Sequence, residues 1–273
     1  MARFSHTVTV AALGRGWFEE AAGALVGLLD ASREGPGGAI LLPDGRPVDG
    51  LRLLKGRHLR PGARYGEAVA EPEAAEAPAA RAATVLREWR PSRSVEVESL
   101  MAEEDMSVRL GVRVREPLRP RAVEVSLAGH QPKGGSLYRF SGRAKADLGA
   151  WWAAVDRLPP APPAARPPVS GKAVHLLGKA RLTVTPRPDG DGSWQVTVAL
   201  SARGRWLLRP VGAVILFFAR KPVERGFREA VESAAREWNT TFAELTPLHG
   251  EALRAEIADA LTEPGEPAEP KAL

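Results

Sequence analysis

Residues 179–245 carry the pattern that most limits how this chain folds: two alternating apolar strands around a turn, then a long apolar run and an amphipathic helix. Leu182 and Val184 alternate with Arg181, Thr183 and Thr185. The segment Pro186-Arg187-Pro188-Asp189-Gly190-Asp191-Gly192 reverses the chain, after which Trp194, Val196, Val198 and Leu200 alternate with Gln195, Thr197 and Ala199. That predicts a half-buried antiparallel pair. Pro210 to Ala219 is apolar on every side and flanked by Arg209, Arg220 and Lys221. A bilayer crossing needs about 20 apolar residues, so the run predicts burial under the sheet and no transmembrane segment, with shallow membrane contact as the lesser alternative. Pro222 suits the first turn of a separate helix. In that helix Phe227, Val231, Ala234, Ala235, Trp238 and Phe242 form an apolar stripe, opposite Glu224, Arg228, Glu232 and Arg236. Two turn-separated helices are therefore expected.

The chain opens with Phe4, His6, Val8 and Val10 alternating with Ser5, Thr7 and Thr9, which predicts a first strand. After Gly14-Arg15-Gly16, a helix ending near Ser32 places Trp17, Ala21, Leu25, Leu28 and Leu29 on one face, with Glu19 and Glu20 in its first turn. Short runs at Ala39 to Leu42 and Leu51 to Leu54 flank a Pro-Asp-Gly turn. Residues 67–80 are rich in Ala, Glu and Pro and read as a mobile excursion. Consecutive strands are expected at Thr84 to Trp89, Ser94 to Leu100, Ser107 to Arg115, Ala122 to Leu127 and Ser136 to Phe140, a succession that suits an antiparallel sheet. Leu148, Trp151, Trp152, Val155 and Leu158 outline a short helix stopped by Pro159. Residues 159–168 are extended and Pro-rich, either a spacer between sub-domains or a long connection across one sheet. β structure resumes over Ala173 to Thr185, a short helix is expected at Glu251 to Ala260, and 262–273 is a Pro/Glu tail.

Composition removes several classes of function. With no cysteine there is no disulfide, no thiolate nucleophile and no Cys-based metal site. The basic excess of +5 consists of 31 Arg against 7 Lys. With abundant Ala, Gly and Pro and only one Asn, it reflects GC-rich bacterial codon usage more than selection for polyanions. The opening residues lack the apolar region of a secretion signal, so a cytoplasmic location is the expectation.

No catalytic motif stands out. Gly14-x-Gly16 has Glu19 where a dinucleotide fingerprint needs its third glycine. The five histidines show no metal-ligand spacing, and no serine sits in a Gly-x-Ser-x-Gly elbow, so neither a cofactor nor a metal is assigned. Glu103, Glu104 and Asp105 read as a solvated turn. His6 shares the apolar alternation of the first strand, as a hydrogen-bonded core histidine or as a polar group facing a cavity. Arg109, Arg113 and Arg115 alternate with Val108, Leu110, Val112 and Val114, and residues 106–145 hold nine Lys+Arg against Glu116 and Glu124. Such a row is either a solvated outer face or a surface for phosphates or an acidic partner.

An opening strand and helix, a run of antiparallel strands, a final hairpin and a long apolar-faced helix together resemble the START-like superfamily, also called the polyketide cyclase or SRPBCC fold. The likeness is carried best by Gly178 to Trp238, including Arg205-Trp206-Leu207-Leu208-Arg209-Pro210 and Phe227-Arg228-Glu229-Ala230, and by the first 30 residues. It implies an α+β helix-grip fold: one domain over 1–245 with insertions near 67–80 and 159–169, then a short helix and tail. It also implies a hydrophobic small molecule, lipid- or polyketide-like, held between Trp194, Val196, Val198 and a helix bearing Phe217, Phe218, Phe227 and Trp238. His6 and Trp89 would be polar handles. No catalytic signature comes with the resemblance, so enzymatic activity does not carry over, and an enzyme of the cyclase or hydratase kind with His6 as acid or base is the weakest of the alternatives. The main alternative is an assembly protein whose arginine row docks on a protein partner, on a second copy of itself or, less favoured, on nucleic acid.

Overall fold

A computed structural model describes residues 2–66, 82–103, 106–131, 138–156, 166–190, 192–204 and 209–263, with the backbone alone at 82, 102, 103 and 209–220. Thirteen strands form one antiparallel sheet among these residues. They are β1 (Ala2–Ala11), β2 (Arg33–Glu34), β3 (Ala39–Leu41), β4 (Pro47–Lys55), β5 (Arg64–Gly66), β6 (Ala82–Arg90), β7 (Ser94–Glu103), β8 (Met106–Arg115), β9 (Ala122–His130), β10 (Phe140–Asp147), β11 (Val169–His175), β12 (Gly178–Pro188) and β13 (Ser193–Gly204). The helices are α1 (Arg15–Asp30), α2 (Leu148–Val155), α3 (Arg209–Leu245) and α4 (Gly250–Thr262). β2 to β13 form a continuous meander, and β1 closes against β13.

Register lines up one apolar row on one face. Phe4 lies opposite Leu200, Leu200 opposite Leu182, Leu182 opposite Gly171, and the row continues through Ala144, Val125, Val112, Val97 and Leu86. The other face carries Arg3, Ser201, Arg181, Lys172, Arg143 and Ser126 at the same level. A flat sheet of this width would separate β1 from β3 by about 50 Å, at about 4.8 Å per strand. Yet α1, about 24 Å long at 1.5 Å per residue, reaches both ends. Trp17 near its start packs in the cluster with Val10 and Trp194, while Leu28 packs with Leu42, Val48 and Ala258. Asp30 at the end of α1 accepts the Trp89 Nε1–H at 2.7 Å on β6. The sheet must therefore curl, with its apolar face concave around the helices.

Helices α1, α2 and α4 and the C-terminal part of α3 crowd the strand ends near Ala11, Asp147, Val169 and Ser193, here called the helical end. Val10, Leu13, Trp17, Trp152, Val155, Trp194, Val196, Ala235 and Leu253 are buried there together. The opposite, open end has Ala2, Met101, Met106, His130, Phe140, Gly178 and Gly204.

Several expectations are corrected. Pro222 does not start a new helix: α3 runs unbroken from Arg209 to Leu245 with the proline inside it. An interior proline removes one hydrogen bond and costs about 3 kcal/mol, and helix-forming residues on both sides carry the helix across. Glu19 and Glu20 lie beyond the first turn, because α1 starts at Arg15. Glu19 pairs with Arg15 at 2.8 Å, and Glu20 accepts the Gly250 N–H at 2.6 Å, capping the start of α4 from α1. Leu25 is exposed rather than part of the packed face. The strand expected at Ser136 to Phe140 instead runs from Phe140 to Asp147, where Gly142, Ala144 and Ala146 give too little hydrophobic contrast to be legible. The single segment expected at Ala173 to Thr185 is two strands turned at Leu176-Leu177. The excursion at 67–80, Glu104 and Asp105, the Pro-rich residues 159–165 and the tail beyond Glu263 lie outside the described residues.

The outer edge of β1 is guarded by α3. Asn239 Oδ1 accepts the Ala11 N–H at 2.8 Å, and Trp238 Nε1 donates to the Ala11 carbonyl at 3.0 Å. An unguarded edge strand is a template for pairing with another chain. Asn239→Leu is expected to cost about 1 kcal/mol, the net worth of one such bond, and to increase self-association. Denaturant titration and sedimentation velocity would check this, and the clamp is refuted if neither changes.

Candidate functional site

The apolar concave face has two unlike halves. At the helical end it is filled. Trp194 is 5% exposed and lies edge-on to Trp151 at 5.7 Å and Trp152 at 5.9 Å. Val196 is buried beside it, Val198 packs half-buried against the same cluster, and Trp238 lies tilted against Phe242 at 4.3 Å between ring centres. No buried side-chain nitrogen or oxygen among the described residues lacks a partner. The core therefore contains no orphan polar group waiting for a ligand.

Toward the open end the same face is hollow. Leu127 lies opposite Gly142, Gly142 opposite Ala173, Ala173 opposite Ala180, and Ala180 opposite Ala202, while Gly178 faces Gly204. Five adjacent strands thus present no side chain larger than a methyl along one row, except at Leu127. An open cavity of about 390 Å³ results, walled by Leu127, Phe140 and Leu177. The Phe140 ring lies over Gly129, where an added Cβ would come within 2.3 Å of it, so that glycine sets the position of one wall. The volume falls in the range of about 300–1,000 Å³ typical of ligand sites, and such sites are mostly apolar.

The residues proposed from sequence are distributed as follows. Trp194, Val196, Val198 and Trp238 come together at the helical end, and Phe227 approaches Phe4 at 6.3 Å between ring centres. His6 is half-buried on the concave side and pairs through Nε2 with Glu232 Oε1 of α3 at 3.1 Å. Trp89 lies apart from these, on β6 at the far side of the curl, where it packs against the cluster of Ile40, Ala63, Tyr65 and Leu86. The side chains of Phe217 and Phe218 lie outside the described residues. Gly142, Ala173, Ala180 and Ala202 were not singled out from sequence. Their only signal is the alternation of very small residues with Arg, Lys and Ser on consecutive strands.

On the convex face Arg109 pairs with Glu98 at 3.2 Å, Arg113 with Glu96, and Arg115 with Glu124 at 3.0 Å. The arginine row is thus neutralised strand by strand over β7 to β9. Arg143, Lys172 and Arg181 on β10 to β12 form no ion pair among the described residues. They lie directly opposite one another across the strands.

One hydrogen-bonded relay superficially suggests catalysis. Ser32 Oγ lies 2.9 Å from His58 Nε2, and His58 Nδ1 lies 3.0 Å from the Tyr65 hydroxyl. Ser32 donates to the Leu29 carbonyl at 2.6 Å, and Tyr65 accepts the Leu59 N–H at 2.9 Å. With the serine proton committed, the chain runs from Tyr65 O–H to His58 Nδ1 and from His58 Nε2–H to Ser32 Oγ. His58 then has no free lone pair facing the serine, so the relay positions the β4–β5 loop and activates nothing. Burial holds the His58 pKa below the ordinary histidine range, with only partial opposition from Glu34. The unfolded chain therefore takes up this proton first. The contribution of His58 to stability is complete above about pH 6.5 and is lost as pH falls through the lowered folded value. Unfolding midpoints that decline below about pH 6.5 in the parent, but less in His58→Gln, are expected. Identical profiles would show that His58 is not the titrating group.

Among the described residues no three His, Asp or Glu side chains are placed to hold a metal ion, and no helix is long and apolar enough to cross a membrane. No family model and no curated protein matches the chain. Among solved structures, the di-domain ARO/CYC StfQ from the steffimycin biosynthetic pathway aligns over 94% of this chain and 99% of that chain, at 11% identity and a TM-score of 0.20. That likeness is too slight to bear on fold or chemistry.

Proposed function

We propose that this α+β chain is a single unit from β1 through α4 that binds a hydrophobic small molecule or acyl chain in the open-end hollow of its concave sheet. The observation that carries the proposal is the row of glycine and alanine across β10 to β13. It leaves about 390 Å³ of apolar space on a face otherwise lined with Val, Leu and Phe. A protein with no ligand has no use for such a hollow, since larger side chains would fill it and add about 25 cal/mol per Å² of apolar surface buried. The arrangement fits a helix-grip scheme in that the first and last strands pair and α3 lies against β1. In this structure the hollow sits beyond Trp194 and Val196 rather than among them. Trp194, Val196, Val198, Phe227 and Trp238 then form the rigid floor that fixes the shape of the curl, and His6 ties that floor to α3 through Glu232.

Extraction of the protein purified without detergent, followed by mass spectrometry, should release an apolar compound, and a hydrophobic dye should bind and be displaced by it. A protein that yields nothing and binds no dye would refute the proposal.

A further inference from the structure

The open end, where the hollow lies, is also where exposed apolar side chains collect. Among the described residues eleven large hydrophobic side chains are exposed, and seven of them are at this end. Leu100, Met101 and Met106 flank the tip of the β7–β8 hairpin, Tyr138 precedes β10, Val174 is near the end of β11, and Leu176 and Leu177 form the β11–β12 turn. Met106, Leu177 and Tyr138 are 44%, 50% and 56% exposed. Scattered single apolar residues are ordinary on a surface, but concentration at one edge of one sheet is not. Leu177 belongs both to this rim and to the wall of the hollow, so the two apolar surfaces are continuous. α3 also begins here: β13 ends at Gly204, only four residues separate it from Arg209, and Pro210 to Ala219 has no charged residue.

Charge makes the second, independent observation. Arg143 lies directly opposite Lys172, and Lys172 directly opposite Arg181. Like charges facing one another across strands are destabilising, and no carboxylate falls within 140–143, 171–182 or 199–204 to relieve them. Over β7 to β9 the same convex face compensates each arginine with a glutamate. The facing cations Arg143, Lys172 and Arg181 are thus uncompensated where Arg109, Arg113 and Arg115 are each paired. The apolar Leu176-Leu177 turn with cations behind it matches a bilayer surface, where the turn enters the acyl boundary and the cations meet anionic headgroups; the acidic run Glu103-Glu104-Asp105 between β7 and β8 is repelled by such headgroups and leaves that hairpin outside the contact. A nucleic acid or an acidic protein would use the cations but has no use for Leu176 and Leu177 at the rim.

We propose that the open end docks on an anionic lipid bilayer and that the hollow is loaded and emptied there. This builds on the binding function proposed above, but the two are separable by experiment. Because the chain has no cysteine, single cysteines at Leu176 and, as a control at the helical end, Asp189 can each carry an environment-sensitive fluorophore. Vesicles of phosphatidylcholine containing phosphatidylserine should shift the emission of the label at 176 to the blue and leave that at 189 unchanged. Vesicles of phosphatidylcholine alone should do much less. Leu176→Asp with Leu177→Asp should abolish co-sedimentation with the anionic vesicles. Arg143→Gln, Lys172→Gln and Arg181→Gln should each weaken it roughly fivefold. Leu176→Asp alone should leave dye binding in solution intact, whereas a residue that fills the hollow should remove dye binding and spare vesicle binding. Three results would overturn docking: equal responses of both labels, co-sedimentation that survives the double aspartate variant, or binding to an oligonucleotide or acidic peptide without vesicle binding. Absence of dye binding with vesicle binding retained would overturn the pocket and not the docking surface.

Discussion

Trp194→Ala is expected to unfold roughly 10 °C or more below the parent chain while keeping its affinity for a hydrophobic dye. The indole is 5% exposed and edge-packed against Trp151 and Trp152, and Trp152 in turn lies 5.7 Å from Phe18. Its removal empties the middle of an aromatic cluster joining β13, α2 and α1. Truncation of a buried aromatic costs about 3–5 kcal/mol in lost transfer energy and residual cavity, a large share of the 5–15 kcal/mol typical of a whole domain. At about 2–4 °C per kcal/mol for a chain of this size, the melting point should fall visibly. The dye result separates two roles for the residue. A Trp194 that touches ligand would lose binding on truncation, whereas one that supports the sheet from the helical end would lose stability alone. Unchanged melting together with lost binding would refute the structural role.

Ala180→Trp should do the opposite. Ala180 lies between Ala173 and Ala202 in the row that floors the hollow, and an indole there would project into space that is otherwise empty. Because that space is open to solvent, the ring can be accommodated without displacing packed neighbours, so the melting point should change little. Dye and extractable ligand should bind at least tenfold more weakly, which corresponds to about 1.4 kcal/mol. Retention of full affinity would mean that the apolar compound lies elsewhere on the protein. Ala202→Trp approaches the same space from β13 and should reproduce the result.

The sequence shows the strands wherever their alternation pairs large apolar residues with polar ones. β1, β8, β12 and β13 are legible for that reason, and the short Trp-rich helix α2 is legible from its own apolar spacing. β10 and β11 were less visible, because Gly142, Ala144, Ala146, Gly171 and Ala173 occupy the concave positions and signal neither strand nor core. The candidate site is built from those same residues. Sequence patterns mark where side chains fill space, and here the site is where they are missing. The curl is hidden for another reason: it depends on α1 bridging Trp194 and Trp89, which are far apart in the chain and linked only by tertiary packing. The continuity of α3 through Pro222 shows how local propensity yields to the helix on either side of it. The arginines at 109, 113 and 115 were visible, but the glutamates that pair with them from neighbouring strands depend on register, which was not.

The pairing of β1 with β13 also governs how the molecule is made. Residues 2–11 find their neighbours at 193–204, nearly two hundred positions later, and the guard on their other edge comes from 238 and 239 later still. On the ribosome this segment must remain without its sheet partner until residues 193–204 have been synthesised, and closures of such long range are slow. A message cut short before α3 would release a product with a bare β-edge and exposed aromatic surface, the form of this chain most prone to clump and to require a chaperone.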